Sequence, residues 1–307
     1  MEAIERPVSF GIGAGGGSES LAALTRGREG QVQVLRRDGH GELVLETAGK
    51  GEPLVLIHGW AVDRRMWVHQ LPVLRRRFRV ITYDRRGFGQ STCAANLEHE
   101  VEDLKAILAH LAVPKVAIVG MSQGGRIAIR FASQHPEWVS ALVLQCPSID
   151  GLVPPPADNM TPLMDELARM LRAGDRDAFV QRLGAHVLLD PGARFTSARA
   201  EIMAMLGDYR GEDLMAPASP EVRIEETFEQ LTRIGAPTLV ITGSKETYWL
   251  RQVADYTARN IRGARRRVIR GGRHFVNMTH IADYNRVVLD FLVRATTPWS
   301  ERALGSV

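Results

Sequence analysis

Cysteine is scarce: Cys93 and Cys146 are the two thiols in 307 residues. They belong to no C-x-x-C pair and no zinc-type spacing, which excludes a disulfide-stapled scaffold and a cysteine-built zinc site. A reducing cytoplasm is the expected compartment. Long apolar runs are missing too. Nothing approaches the roughly 18 consecutive apolar residues of a membrane span, and the opening MEAIERPVSF carries two glutamates ahead of its first apolar patch, which argues against a signal sequence. Charge of one sign is only slightly in excess, with 39 Lys and Arg against 35 Asp and Glu. The arginines cluster at 75–77 and 79, at Arg85 and Arg86, and at 265–267. Each cluster borders an expected strand and lacks interleaved aromatics, so all are read as solvated ends of elements, and no nucleic-acid face is expected.

Glycine, by contrast, is plentiful. Residues 11–17 read GIGAGGG, which contains G-x-G-x-x-G, and Asp38 follows about twenty residues on. The pattern fits a dinucleotide fingerprint poorly. The strand before it would be three residues long after Pro7, and Gly27 and Gly30 break the helix that should follow. Residues 1–30 are therefore expected to form a flexible arm, and 297–307 a tail.

From Gln31 the pattern becomes regular. QVQVLRRDG and GELVLETAG alternate like a half-exposed hairpin, and PLVLIHG is a short apolar run like a buried strand. Strand and helix signals then alternate. A helix over Arg64–Arg76 precedes strand FRVITYD, a helix over Glu98–Leu111 precedes KVAIVG, and a helix over Gln123–Gln134, stopped by Pro136, precedes SALVLQC. Repeated strand-helix-strand means a mostly parallel, doubly wound α/β sheet. Residues 148–226 break the rhythm with amphipathic helices only. Leu163, Leu167, Met170 and Leu171 share one face, as do Phe179, Leu183, His186 and Val187, and six of the ten methionines fall in this stretch. A helical cap inserted after the sixth strand is expected, because PTLVITG (237–243), a helix over Tyr248–Asn260, strand RRVIRG and a helix over 281–293 resume the alternation. The core is thus 31–147 with 227–296, and the cap 148–226.

The chemistry gathers where strands end. GMSQG sets Ser122 between two glycines at the junction of KVAIVG and the following helix, the strand-turn-helix context of a nucleophile elbow. A hydroxyl needs a base, and the base an orienting carboxylate. Of the nine histidines, His274 stands on the glycine-softened loop directly after the last strand, in GGRHFVNM, and Glu246 lies on the loop after PTLVITG. Asp150, just past SALVLQC, is the alternative acid. His58 is read as a brace for the loop it begins, and Asp84 as a turn carboxylate capping the amides of 86–88.

Four motifs in order, HGWAVDRRMW (58–67), YDRRGFGQS (83–91), GMSQGG (120–125) and GGRHFVN (271–277), resemble the α/β-hydrolase superfamily across about residues 31–295. The order Ser122, Glu246, His274 is similar to that family's triad, although relatives usually carry aspartate where Glu246 stands. The first two motifs look like the cofactor-free haloperoxidase and esterase branch, and the elbow looks more like enol-lactonases and carboxylesterases. The resemblance implies an oxyanion hole made by the backbone N–H groups of Trp60 and Gln123, and no cofactor or metal; Trp60 and Trp249, on loops at the active edge, are expected either to wall the acyl pocket or to pack in the core. It implies a serine hydrolase for small carboxylic esters or lactones. Carbon-carbon bond hydrolysis or perhydrolysis on the same triad, and a ligand receptor with little turnover, are the alternatives.

Overall fold

In the computed structural model, the described residues are 30–296 except 38, 40, 153, 157–159 and 217–222. The expected N-terminal arm, apart from Gly30, and the expected tail lie outside them. Eight strands form one sheet in the order β1-β2-β4-β3-β5-β6-β7-β8. They are β1 (Gly30–Arg37), β2 (Gly41–Ala48), β3 (Glu52–Ile57), β4 (Phe78–Tyr83), β5 (Val116–Met121), β6 (Val139–Gln145), β7 (Thr238–Gly243) and β8 (Arg265–Ile269). The hairpin β1/β2 is antiparallel and its second strand runs antiparallel to β4. From β4 to β8 every pairing is parallel. The carboxyl ends of these strands therefore share one rim, where open α/β sheets bind ligands.

Strand periodicity divides the core into two layers. In β3, Val55 and Ile57 face one layer and Leu54 and Leu56 the other; in β5, Val116 and Ile118 oppose Ala117, Val119 and Met121. The first layer is closed by helices α1 (Glu100–His110) and α2 (Gln123–Gln134), with Leu231 and Ala254 joining from later helices. The second layer is closed by α8 (Ile281–Thr296) and by the helical insert between β6 and β7. The insert comprises α3 (Thr161–Arg172), α4 (Arg176–Gly184) and α5 (Thr196–Asp208), and α6 (Ile224–Arg233) and α7 (Tyr248–Asn260) follow it. Leu163, Leu167, Phe179 and Leu183, from the apolar faces expected of α3 and α4, are buried in the same cluster as the sheet, as are Ile202, Met205 and Leu206 of α5, whereas Val187, expected on the Phe179 face, is exposed in a 3-10 turn beyond the end of α4.

Three expectations need correction. The helix expected over Arg64–Arg76 is a 3-10 turn, Arg64–Trp67, and a short helix, Leu71–Leu74, because Pro72 interrupts the run and fits only in a first helical turn. The boundary expected at 226 falls inside α6, whose Leu231 packs in the layer under α2. Arg85 and Arg86 are not solvated: they are 1% and 3% exposed and end in carboxylates of α1.

Candidate active site

The Ser122 turn is built by crowding. Ser122 has φ 53° and ψ −115°, a conformation rarely adopted by a residue with a Cβ, between the end of β5 and the start of α2. Such a turn needs small neighbours. A Cβ on Gly124 would collide with the carbonyl oxygens of Ile57 and His58, and one on Gly120 with the main chain of Gly124. The Ser122 N–H is held by the Gln145 carbonyl at 2.9 Å, and the Ser122 carbonyl accepts from Gly125 and Ser148. Its side chain is half-buried, and among the described residues the hydroxyl has no protein hydrogen-bond partner.

His274 and Glu246 meet on the same rim. The imidazole Nδ1 lies 2.7 Å from Glu246 Oε2, both side chains being at most 5% exposed. Glu246 Oε1 accepts the Thr247 N–H at 2.8 Å. Burial alone would raise the Glu246 pKa, but the charge and hydrogen bond of His274, with donors from Cys146 and Thr247, hold it below the usual carboxylate range. An ionised carboxylate at this place fixes the proton on Nδ1, which leaves Nε2 as the basic nitrogen. Asp150, the other acid considered, sits in a different cluster, 2.8 Å from Arg130 Nε and 3.5 Å from Arg126. Cys146, Glu246 and His274 bring three possible ligand atoms within 4.8 Å of one another. The imidazole nitrogen is already bonded to the carboxylate, and the thiol faces the His274 carbonyl at 3.8 Å, so the group is a closed hydrogen-bonded cluster.

Beside the Ser122 turn, the loop after β3 presents Gly59 and Trp60. Neither the Trp60 N–H nor the Gln123 N–H is taken by a protein acceptor among the described residues. His58 braces this loop: Nδ1 donates to the Gly59 carbonyl at 2.8 Å, and Nε2 accepts the Arg85 N–H at 2.9 Å. Arg85, which the sequence reading put in solvent, grips both sides of the gap. Its guanidinium donates to the Gly59 carbonyl at 3.2 Å, to Gln123 Oε1 at 3.1 Å and to Glu100 at 2.6 Å. Asp84 accepts from the amides of Arg64 and Gln90 and pairs with the Arg64 side chain, instead of capping 86–88 as expected. The reason is the 3-10 turn, which brings Arg64 back over the loop.

The Trp60 side chain turns toward the insert. Its indole N–H donates to Asp213 Oδ2 at 2.9 Å and to the Tyr209 hydroxyl at 3.1 Å, and that hydroxyl donates to Asp213 Oδ1 at 2.5 Å. The Tyr209 ring stacks on Phe88, centroids 5.6 Å apart. Trp249 is half-buried at the start of α7. Sequence reasoning missed Arg85, Gln145, Asn277, Tyr209 and Asp213. For Arg85 a signal existed: an acidic helix start, EHEVED (98–103), follows at the spacing of a βα unit and puts Glu100 fifteen residues after Arg85. The others depend on contacts between distant segments.

The alpha/beta hydrolase fold family model matches residues 52–197. Over 296 residues the chain is 27% identical to a 2-hydroxy-6-oxononadienedioate/2-hydroxy-6-oxononatrienedioate hydrolase of Paraburkholderia xenovorans, covering 90% of this chain and 99% of that protein. A thermophilic esterase from Thermogutta terrifontis superposes with TM-score 0.74 at 23% identity, over 87% of this chain and all of that one. The enol-lactonase from Burkholderia xenovorans does so with TM-score 0.69 at 20% identity, over 85% of this chain and 99% of that one. With its sheet order and strained serine turn, the chain has the α/β-hydrolase fold.

Proposed function

We propose that the protein is a serine hydrolase of small carboxylic esters or lactones, working through an acyl-enzyme. The observation that carries this reading is the buried 2.7 Å His274–Glu246 pair on the rim where Ser122 stands in its strained turn. Ser122 Oγ attacks the carbonyl carbon while His274 Nε2 takes its proton. Glu246 stays ionised, orients the ring through Nδ1 and stabilises the imidazolium. The carbonyl oxygen becomes an oxyanion received by the N–H groups of Trp60 and Gln123, each free of a protein acceptor among the described residues. Imidazolium then protonates the leaving alkoxide, and a water, deprotonated by His274, releases the acid and restores Ser122. In the resting protein the serine hydroxyl is not bonded to the base; such contacts commonly tighten when substrate fills the site. The helical insert acts as the cap, tied to the oxyanion loop through Trp60, Tyr209 and Asp213.

The test is covalent labelling with a fluorophosphonate and turnover of short p-nitrophenyl esters. Labelling at Ser122 and turnover abolished in Ser122→Ala are expected; a folded protein that does neither is a receptor, and the reading fails. Glu246→Gln should abolish turnover and Asp150→Asn should not; the reverse would make Asp150 the acid. The chain-long likeness to a dienedioate hydrolase favours carbon-carbon bond hydrolysis as a second reading. A 2-hydroxy-6-oxo-dienedioate cleaved faster than any ester would select it.

A further inference from the structure

Beneath the rim, a chain of buried amides links the segments that carry the site. Gln145, the last residue of β6, is fully buried. Its main-chain carbonyl accepts the Ser122 N–H at 2.9 Å, while its side-chain Nε2 donates to the His274 carbonyl at 3.1 Å and to Asn277 Oδ1 at 2.9 Å. Asn277 Nδ2 donates onward to the Met66 carbonyl at 3.2 Å and Gln70 Oε1 at 3.3 Å, just downstream of the oxyanion loop. One residue thus touches the nucleophile's turn through its backbone and the base's loop through its side chain.

The rest of β6 is mostly apolar, with Val139, Ala141, Leu142, Val143 and Leu144 all buried. An amide there is costly, the more so because Gln145 Oε1 has no hydrogen-bond partner among the described residues. A leucine of similar size would suit the strand's pattern without that penalty. Both groups facing Nε2 are oxygens, which sets the amide's orientation.

We propose that Gln145 is a positioning residue for the reaction: by holding the Ser122 turn and the His274 loop together, with Asn277 as relay, it sets the separation of nucleophile and base. The proposal rests on the Ser122–His274–Glu246 reading above. Small misplacements of reacting groups are expensive in rate. Gln145 is placed beneath the two groups it joins, so its loss falls on kcat and leaves KM largely intact.

The variants are Gln145→Leu, Gln145→Met and Asn277→Leu. The measurements are the rate of fluorophosphonate labelling at Ser122, kcat and KM for p-nitrophenyl acetate, and thermal unfolding. Each single variant is expected to label and turn over slower by about tenfold or more, with KM within about twofold. The Gln145→Leu/Asn277→Leu double variant should be no slower than the slower single one, as residues acting through one contact do not add. A folded Gln145→Leu that labels and turns over within about twofold of the parent overturns the proposal, even if its melting temperature drops. Should that variant not fold, Gln145→Met and Asn277→Leu decide by the same thresholds. A parent that does not label at Ser122 refutes the hydrolase reading itself and this proposal with it, whereas a labelled parent with unaffected variants refutes the positioning role alone.

Discussion

Burial, with the Arg85 charge beside it, pushes the His58 pKa from 6.5 down to about 3. The folded chain thus keeps this ring neutral where the unfolded chain takes up a proton. Stability is full above pH 6.5 and falls as the pH drops toward about 3, the direction required when the unfolded state binds more protons. Between pH 6.5 and 5 the loss from this ring is about 2 kcal/mol. Urea unfolding at pH 7 and pH 5 checks it: the difference should shrink by about that amount in His58→Gln. Arg85 gives a second prediction. Its ion pair with Glu100 is buried on both sides, at 1% and 4% side-chain exposure, and burial raises the Glu100 pKa even beside the arginine. Arg85→Met should cost about 3–5 kcal/mol by stranding the carboxylate, and adding Glu100→Leu should recover most of it. Activity should stay low in the double variant, because the Gly59 carbonyl and the Gln123 side chain have lost their shared donor. Denaturant midpoints and kcat, measured on both variants, separate the two effects.

At the scale of the element, the turn between β5 and α2 stores strain in return for presenting a hydroxyl. Ser122→Gly should be more stable than Ser122→Ala by about 1 kcal/mol, since glycine adopts φ 53° without penalty; thermal unfolding of the two variants reads the difference. Gly124→Ala should cost about 1–3 kcal/mol by driving α2 away from the end of β3, and it should slow labelling of Ser122 as well. The start and end of α2 were legible in the sequence, from the elbow glycines and Pro136. The segment after the β3 loop was not. Its apolar spacing reads as one helix, but Trp67 and Met66 are pulled fully into the core and Pro72 restarts the chain there.

Over the whole molecule, insert and sheet share one apolar layer. Leu167 and Phe179 belong to the same cluster as Leu54 of β3 and Val119 of β5. Such a layer couples its parts, so the insert should not melt ahead of the sheet. Leu167→Ala is expected to cost about 2–5 kcal/mol and to lower a single unfolding transition, seen alike by near- and far-ultraviolet circular dichroism. An early transition confined to one probe would mean that the insert is an independent unit.

By itself the amino-acid order determined the alternation of strands and helices, the place of the insert and the identity of Ser122, His274 and Glu246 as candidates, because periodicity, glycine crowding and loop position are local properties. It also implied that the parallel strand ends share a rim. Only the tertiary structure decided which carboxylate meets the imidazole: Glu246 and Asp150 both follow strand ends, and the 2.7 Å contact depends on how β7 and β8 pair. It alone turned Arg85 inward, since the partner that makes its burial tolerable is in another element. The amides of Gln145 and Asn277 belong there too, 132 residues apart in sequence and joined by a hydrogen bond that no local pattern encodes.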